Sequence, residues 1–287
     1  MVADGPTFDH SKGRGCGMSL VTLQDLDKAR RSRELADTLA GIDRKYLVMS
    51  GKGGVGKTTL AVNLAAAKAA AGYAVGLLDI DLHGPSVALA LGLESASLAV
   101  DADEKLVPLT SEFGLKVVTI QGLLQKRDEA VIWRGPKKIR AIRQFFSEVV
   151  WGRLDYLFID SPPGTGDEPL TVLQVVPDIK PLMITSGSRL ALGDVAKAFS
   201  FLKLLKHPAA GLVDNQSWYV CPGCGQETEI HDRRAAGILA GRENAPLLAS
   251  LPLDLEAGRA AEEGRPLVWS RPDHPFSRMI IELANKL

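Results

Sequence analysis

The chain has 287 residues, of which 46% are hydrophobic and 24% are charged, enough apolar material for one large folded core. Its formal net charge is zero, which excludes a general electrostatic attraction to nucleic acid or to an anionic membrane. No apolar run is long enough to span a bilayer, residues 1–17 lack an apolar signal core, and three cysteines do not make a disulfide framework. These features predict a cytoplasmic protein without nucleic-acid or membrane partners.

The first part of the chain, residues 1–41, is predicted to be an appendage. Residues 20–40 have a charged helical pattern, and a flexible polar tail precedes them. The tail carries Cys16, which we interpret as an incidental thiol because no other cysteine lies near it in the sequence. The remainder, residues 42–287, is expected to form one domain.

A phosphate-binding loop follows the first predicted strand, residues 45–49, and precedes an alanine-rich helix predicted for residues 60–71. The loop satisfies the pattern G-x-x-x-x-G-K-[ST]. Its glycines let backbone N–H groups surround a polyphosphate, Lys57 supplies charge to the β- and γ-phosphates, and the Thr58 hydroxyl can complete a Mg²⁺ shell. The sequence therefore predicts a nucleoside triphosphate site formed by Gly51, Lys52, Gly53, Gly54, Val55, Gly56, Lys57, Thr58 and Thr59.

Lys52 is a second lysine inside this loop. It adds little to a site that Lys57 already serves, so it is either a solvated surface lysine or a charge delivered to the site of a partner chain. The phrase G-K-G-G-V-G-K-T-T resembles the deviant phosphate loop of the MinD, ParA and nitrogenase iron protein class. That resemblance implies that Lys52 crosses the interface of a dimer that encloses the nucleotides.

Predicted strands and helices alternate along the rest of the chain. Several strand candidates are continuous apolar runs, which is typical of strands covered on both faces. The alternation predicts an α/β fold, a doubly wound and mostly parallel sheet of about seven to eight strands with helices on both faces and ligands at the carboxyl ends of the strands. The further strand candidates are residues 74–78, 115–120, 156–159, 182–185, 209–213 and 247–251, and the main helices between them are residues 137–150, 192–206 and 233–241.

Acidic residues follow two of these strands. Asp79 and Asp81 come after the first, where carboxylates can hold a Mg²⁺-bound water or orient the attacking water. Asp160 ends the second, as a Walker B acid does, and the loop of residues 162–166, Pro-Pro-Gly-Thr-Gly, can report the γ-phosphate. An ordinary acidic turn is the alternative at each position, and the nearby phosphate loop makes it the weaker choice.

The other chemical signal is the C-x-x-C turn of Cys221 and Cys224. Such a turn places two thiolates within reach of one metal or cluster. A tetrahedral zinc site needs four ligands, and the same stretch also offers His231 and Asp232. Two chains contributing two thiolates each would instead give Cys₄ ligation of an iron–sulfur cluster. The spacing does not decide between zinc and iron–sulfur.

These motifs in this order resemble the Mrp/ApbC family of iron–sulfur cluster carrier ATPases, with a P-loop NTPase fold, over roughly residues 45–287. The resemblance rests on the phosphate loop, Asp79-Ile80-Asp81-Leu82-His83-Gly84-Pro85-Ser86, Trp133-Arg134-Gly135-Pro136, Trp151-Gly152-Arg153-Leu154-Asp155-Tyr156, Asp160-Ser161-Pro162-Pro163-Gly164-Thr165-Gly166-Asp167, Val213-Asp214-Asn215-Gln216-Ser217, the C-P-G-C-G turn and Leu251-Pro252-Leu253-Asp254.

The resemblance implies a homodimer that hydrolyses ATP slowly and holds a labile [4Fe–4S] cluster between the two C-x-x-C turns for delivery to apoproteins. Lys52, Lys57, Asp81 and Asp160 would be the catalytic residues. Asn215 would contact the adenine, with Pro252 in the ATP site as well. Thr58 would bind Mg²⁺ directly, Asp79 and Asp160 would bind it through water, and Cys221 and Cys224 would be the cluster ligands.

The chain departs from the family pattern near the cysteines. Gln216 stands where the family has methionine, and His231-Asp232-Arg233-Arg234 stands where the family has a phenylalanine and a glycine run. These departures bear on the ligand geometry and the cluster type. Two alternatives also stay open: a ParA- or MinD-like partition ATPase, and a zinc-stabilised nucleotide-dependent metallochaperone or regulator. The net charge disfavours the first of these. The final helix also disfavours it, because its apolar stripe around Ile280 has few basic neighbours and is expected to pack on the core.

Overall fold

The computed structural model describes residues 23–123 and 135–287, with side chains described for residues 29–122 and 135–287. Cys16, Trp133 and Arg134 therefore lie outside the described residues. The helices are α1 Leu23–Ala40, α2 Lys57–Ala70, α3 Val87–Ala90, α4 Gly135–Ser147, α5 Asp167–Val175, α6 Arg189–Leu204, α7 Arg233–Glu243, α8 Leu255–Glu262, α9 Leu267–Ser270 and α10 Pro275–Asn285, with a 3₁₀ turn at Ile120–Leu123. The strands are β1 Ile42–Ser50, β2 Val75–Asp79, β3 Ala99–Val100, β4 Leu106–Val107, β5 Leu109–Thr110, β6 Lys116–Thr119, β7 Leu154–Asp160, β8 Lys180–Thr185, β9 Gly211–Asp214, β10 Trp218–Val220, β11 Glu227–Glu229 and β12 Leu247–Ser250.

Eight strands form one central sheet in the order β12-β9-β8-β1-β7-β2-β6-β5. All neighbours pair in parallel except β5, which runs antiparallel to β6 at the edge. The predicted doubly wound α/β fold is confirmed. The reversal of strand order beside β1 creates a crevice at the carboxyl ends of the strands, and the phosphate loop follows β1 at that point.

Both faces of the sheet are buried, because the central strands alternate their side chains between two apolar clusters. Val48 of β1 and Phe158 of β7 face the cluster formed with α2 and α10, whereas Leu47 and Ile159 face the cluster formed with α4 and α6. This two-sided burial explains why these strands read as continuous apolar runs rather than as alternating ones.

The two ends of the described chain pack onto this core. Phe276, Ile280 and Leu283 of α10 are buried against α2, which confirms the interpretation of the final apolar stripe as core packing. At the other end, Leu35 and Leu39 of α1 pack against the cluster on the opposite face. Within the described ranges, no helix combines the length and the apolar character needed to cross a membrane.

Candidate nucleotide site and cysteine turn

The phosphate loop encloses a cavity of 350 Å³ at the start of α2. The loop connects β1 directly to the N-terminus of this helix, so the backbone N–H groups of its first turn point into the cavity. The lining comprises Ser50, Lys52, Gly53, Gly54, Gly56, Lys57, Thr58, Thr59, Asp81 and Pro163. Most of the predicted phosphate-binding residues are therefore brought together around one space, together with an acidic residue and a proline from two other loops.

Two glycines of the loop are required by geometry. A Cβ atom at Gly51 would lie 2.3 Å from the backbone carbon of Asp194 in α6, so only glycine permits this close approach of two backbone segments. Gly56 has a φ of +80°, and a Cβ there would lie 2.3 Å from Nδ2 of Asn215. The glycine spacing of the loop thus reflects close packing against α6 and the chain after β9 as well as access for a phosphate.

Lys57 and Thr58 both point at one carboxylate. Lys57 Nζ donates to Oδ1 of Asp160 over 2.5 Å, and Thr58 Oγ1 donates to Oδ2 of the same residue over 2.6 Å. Asp160 is only 1% exposed and Lys57 8% exposed, so this ion pair is largely shielded from water. A lysine, a hydroxyl and a carboxylate at one point provide the charges and oxygen ligands that a magnesium–polyphosphate group needs.

Asp79 lies beside Asp160 because β2 and β7 pair in register, with Asp79 opposite Asp160 at their carboxyl ends. Burial, reinforced by the negative charge of Asp160, raises the pKa of Asp79 to about 8. Burial also raises the pKa of Asp160, against the opposing effects of Lys57 and Thr58. The Asp79 carboxylate accepts hydrogen bonds from the backbone N–H groups of Asp81 and Val87, which fixes the loop after β2.

The two loops that follow these acids reach the cavity. Asp81 faces it, and its Oδ1 accepts a hydrogen bond of 3.2 Å from the N–H of Gly84 within its own turn. The N–H of Gly164 donates to the carbonyl oxygen of Ser50 over 2.7 Å, which ties the loop of residues 162–166 to the base of the phosphate loop. This hydrogen bond couples the position of residues 162–166 to the position of the phosphate loop.

Asn215 and Pro252 do not line the cavity. Asn215 is buried beneath the phosphate loop, where its Nδ2 donates to the carbonyl oxygen of Val55 over 2.8 Å. Gln216 Nε2 reaches the carbonyl oxygen of Gly54 at 3.4 Å. Pro252 follows β12, whose backbone is tied to β9 by the bond from the N–H of Leu251 to the oxygen of Asp214. Asn215, the predicted adenine contact, thus lies beneath the phosphate loop, and Pro252, predicted for the ATP site, lies directly after β12.

Cys221 and Cys224 occupy the tip of a hairpin made by β10 and β11, a feature that the sequence did not reveal. The N–H of Cys221 donates to the oxygen of Gln226, and Gly225, with a φ of +72°, lets the chain turn back. Backbone N–H groups of Cys224 and Gly223 point at the Cys221 sulfur and hold the pKa of this thiol below its usual value. Cys224 is exposed and Cys221 is partly exposed, so solvent reaches both residues of the turn.

The zinc site considered from the sequence, with His231 and Asp232 beside the two cysteines, is not formed. In the part of the chain that the structure describes, no three His, Cys, Asp or Glu side chains come close enough together to hold a metal ion. Asp232 instead caps the N-terminus of α7, accepting from the N–H of Arg234, and His231 packs over Gly187. The cysteine pair is the only part of that predicted ligand set that remains together.

A buried carboxylate that sequence reasoning missed joins the two sites. Asp214 ends β9, and Ser217 Oγ donates to its Oδ2 over 2.6 Å. Its Oδ1 has no hydrogen-bond partner among the described residues, and burial raises its pKa. Residues 214–217 connect the two sites: Asn215 contacts the phosphate loop, and the cysteine hairpin begins directly after Ser217. In the sequence, Asp214 stands out only as part of the phrase Asp-Asn-Gln-Ser. Such a phrase does not show whether its acidic residue is buried or exposed.

A parallel sheet with a glycine loop before α2, a lysine and a threonine on one strand-end acid, and a second acid beside it defines a P-loop NTPase. The family model for the ParA group, described as NUBPL iron-transfer P-loop NTPase, matches residues 41–287. The chain belongs to this family, as its motifs predicted.

Relatives of this chain carry consistent names. It is 38% identical over 262 residues to the iron-sulfur cluster carrier protein of Methanocaldococcus jannaschii, covering 90% of each chain. It is 39% identical over 254 residues to the cytosolic Fe-S cluster assembly factor NUBP2 of Bos taurus, covering 87% of this chain and 93% of the other.

Solved structures agree with the fold. A nucleotide-binding protein from Archaeoglobus fulgidus in complex with ADP is 34% identical, with a TM-score of 0.72 over 82% of this chain and 92% of the other. The cell division ATPase MinD of Pyrococcus furiosus is 23% identical, with a TM-score of 0.64 over 85% of this chain and 97% of the other, and this likeness concerns the fold alone.

Proposed function

We propose that this chain is an ATP-hydrolysing iron–sulfur cluster carrier that receives a [4Fe–4S] cluster and passes it to apoproteins. The observation that carries the proposal is the pair of thiols at the tip of an exposed hairpin, joined by a short segment to the floor of the phosphate loop. A cargo that is delivered must be reachable, and the two sulfurs are. The names of the relatives support the same function.

In this proposal the catalytic residues are Lys52, Lys57, Asp81 and Asp160. Lys57 neutralises the β- and γ-phosphates, and Asp81, which faces the cavity, orients the attacking water. The hard oxygen ligands of Thr58, Asp79 and Asp160 suit Mg²⁺, which would offset charge on the phosphates when bound. Asp160 pairs with both Lys57 and Thr58, so these three groups are held together beside the cavity.

Dimerisation follows from the ligand count. Two thiolates from one chain leave a cluster short of ligands, and the described residues offer no third ligand near them. Two copies meeting at their cysteine turns supply four. Lys52 is exposed at the rim of its own cavity, where its charge is accessible to a second chain packed against that rim. We therefore propose a homodimer with Lys52 acting in trans.

The coupling between ATP turnover and cluster release is assigned to residues 214–217. Asn215 and Gln216 bond to carbonyl oxygens of the phosphate loop, while Ser217 is bonded to Asp214 and its carbonyl oxygen accepts from the N–H of Ile230 at the far end of the hairpin. A rearrangement of the loop on hydrolysis therefore has a short route to the cysteines. Slow turnover fits a carrier whose nucleotide step serves assembly. We assign these activities to residues 42–287 and treat residues 1–41 as an appendage.

Anaerobic reconstitution with iron and sulfide tests the proposal. The wild-type chain is expected to bind four irons and four sulfides per two chains, with visible absorption and a dimeric mass in solution. Replacing Cys221 and Cys224 together by alanine should abolish iron binding and leave ATP binding intact. Cys16→Ala is the matched control and should retain the cluster.

Three outcomes would contradict the proposal. One is unchanged iron content in the double variant, which would place the cluster elsewhere. Another is a colourless protein that remains a single chain after loading. The third is stoichiometric zinc that iron and sulfide do not displace, which would favour a zinc-linked regulator with the same four thiolates.

A further inference from the structure

A groove that none of the cysteine-turn residues line runs between α1 and α4, on the face of the sheet opposite α2. It encloses 680 Å³, within the range of ligand-binding clefts and larger than the phosphate cavity. Each helix contributes one stripe of side chains at helical spacing. The residues that matter for its chemistry are Arg31 and Leu35 of α1 and Ile139, Arg140, Arg143 and Glu148 on and just after α4.

The groove concentrates positive charge in a chain whose net charge is zero. Arg31, Arg140 and Arg143 are exposed, and none of them makes an ion pair with another residue whose side chain is described. The acid in the lining, Glu148, is engaged by Nε2 of Gln144 over 3.0 Å. Three exposed arginines therefore line the groove.

Between the arginines lies an apolar floor. Leu35 packs on the core from one side, and Ile139, which is 36% exposed, forms the other side. Among the side chains that the structure describes, the lining contains no aromatic ring on which a base of a single-stranded nucleic acid could stack. A groove with an apolar floor and arginine walls instead matches a peptide that carries carboxylates around an apolar side chain.

The α4 wall is fixed before any partner binds. Phe145 and Phe146 anchor α4 in the core, and Lys138 Nζ pairs with Oε1 of Glu168 in α5 over 2.7 Å, with both side chains mostly buried. A preformed wall lowers the entropic cost of binding, because fewer side chains must be ordered.

We propose that the α1–α4 groove is a docking site for an acidic amphipathic segment of a partner protein. Carboxylates of that segment pair with Arg31, Arg140 and Arg143, and its apolar side chain lies on Leu35 and Ile139. The site is independent of what the cysteines hold, so it stands or fails separately from the carrier function.

Fluorescence anisotropy on the full chain tests this proposal with a labelled synthetic peptide of repeated Glu-Glu-Leu triplets. Arg140→Glu combined with Arg143→Glu should weaken binding at least about tenfold, because two bidentate partners become repulsive. The charge-matched control combines Arg259→Glu and Arg265→Glu, two exposed arginines on the opposite face, and should change the affinity less than about twofold. A repeated Gln-Gln-Leu peptide should not bind, and ATP hydrolysis should be unchanged in all variants.

Several results would overturn the docking site. Equal losses in the groove and control variants, or equal binding of a Glu-Glu-Ser peptide, would mean general charge attraction without a groove. Tighter binding of labelled single-stranded DNA, or of phosphatidylglycerol vesicles, that the same groove substitutions abolish would assign the surface to nucleic acid or membrane. Should the charge-reversed chain fail to fold, Arg140→Gln with Arg143→Gln provides the same comparison, and an undiminished affinity there would refute the proposal.

Discussion

The phosphate loop and the cysteine turn are built in opposite ways. The loop lies at the carboxyl end of a parallel sheet, where Lys57, Thr58 and Asp160 are bonded to one another in a largely buried cluster. The turn lies at the tip of a two-stranded hairpin, held by backbone bonds of its own, with Cys224 exposed. A site that performs chemistry on a bound nucleotide needs fixed charges, whereas a site that delivers cargo needs access.

The segment between these regions has features of both. Asn215 is buried and bonded to the loop, and a few residues later the chain leaves the sheet to form the hairpin. Asp214 is held at this junction with one carboxylate oxygen unpartnered among the described residues. Substitutions in each region test this contrast between a buried, tightly bonded site and an exposed turn.

The largest expected effect is on Lys57. Lys57→Ala removes the cation that serves the phosphates and leaves the buried Asp160 without its positively charged partner. We expect ATP hydrolysis to fall by at least about a hundredfold, measured as phosphate release. Lys180→Ala, which changes an exposed lysine at the start of β8, is the control and should keep full activity. Retained hydrolysis in Lys57→Ala would remove the loop from the mechanism.

Lys52→Ala should lower hydrolysis at least about tenfold while leaving ATP binding nearly intact, because Lys52 is exposed and is proposed to act on the partner chain. Mixing Lys52→Ala with Lys57→Ala chains provides a sharper readout. In a mixed dimer one site has its own Lys57 and a Lys52 from the partner, so activity should reappear. No recovery in a mixture shown to contain mixed dimers would mean that Lys52 acts within its own chain.

Glycine substitutions compare the two regions directly. Gly51→Ala forces a Cβ against the backbone of α6 and should lower the free energy of unfolding by about 1–3 kcal/mol. At Gly223 an added Cβ meets nothing closer than the Cys221 sulfur at 3.9 Å. Gly223→Ala should therefore change the free energy of unfolding by less than about 0.5 kcal/mol. Urea denaturation measures both. Similar losses would mean that the turn is packed as tightly as the loop.

The smallest effect concerns pH at the junction. Burial raises the pKa of Asp214, so the folded state holds this proton over a pH range where the unfolded chain has lost it. The contribution to stability is complete below the ordinary aspartate pKa and is lost as pH rises through the raised pKa, by at most about 1.4 kcal/mol per pH unit. Asp214→Asn should flatten the decline in unfolding free energy above pH 4 or so. An unchanged slope would show that Asp214 ionises normally.

Local sequence was enough for the parts of the site that are contiguous. The phosphate loop, the strands before it and after it, and the acids at strand ends were all predicted, because each depends on neighbours in the chain. Element boundaries shifted by a few residues: the strand predicted for residues 45–49 spans Ile42–Ser50, and the helix predicted for residues 60–71 spans Lys57–Ala70. The helix begins earlier because Lys57 belongs to both the loop and the first helical turn.

The sequence by itself determined the nucleotide-binding class, the doubly wound sheet and the proximity of two cysteines to each other. Only the tertiary structure decided which groups meet across the chain: Asp79 beside Asp160, Asn215 under Val55, His231 away from the cysteines, and α1 against α4. The physical reason is that glycine spacing and apolar periodicity act over a few residues. Strand register and helix docking are instead set by how all the apolar faces are buried at once.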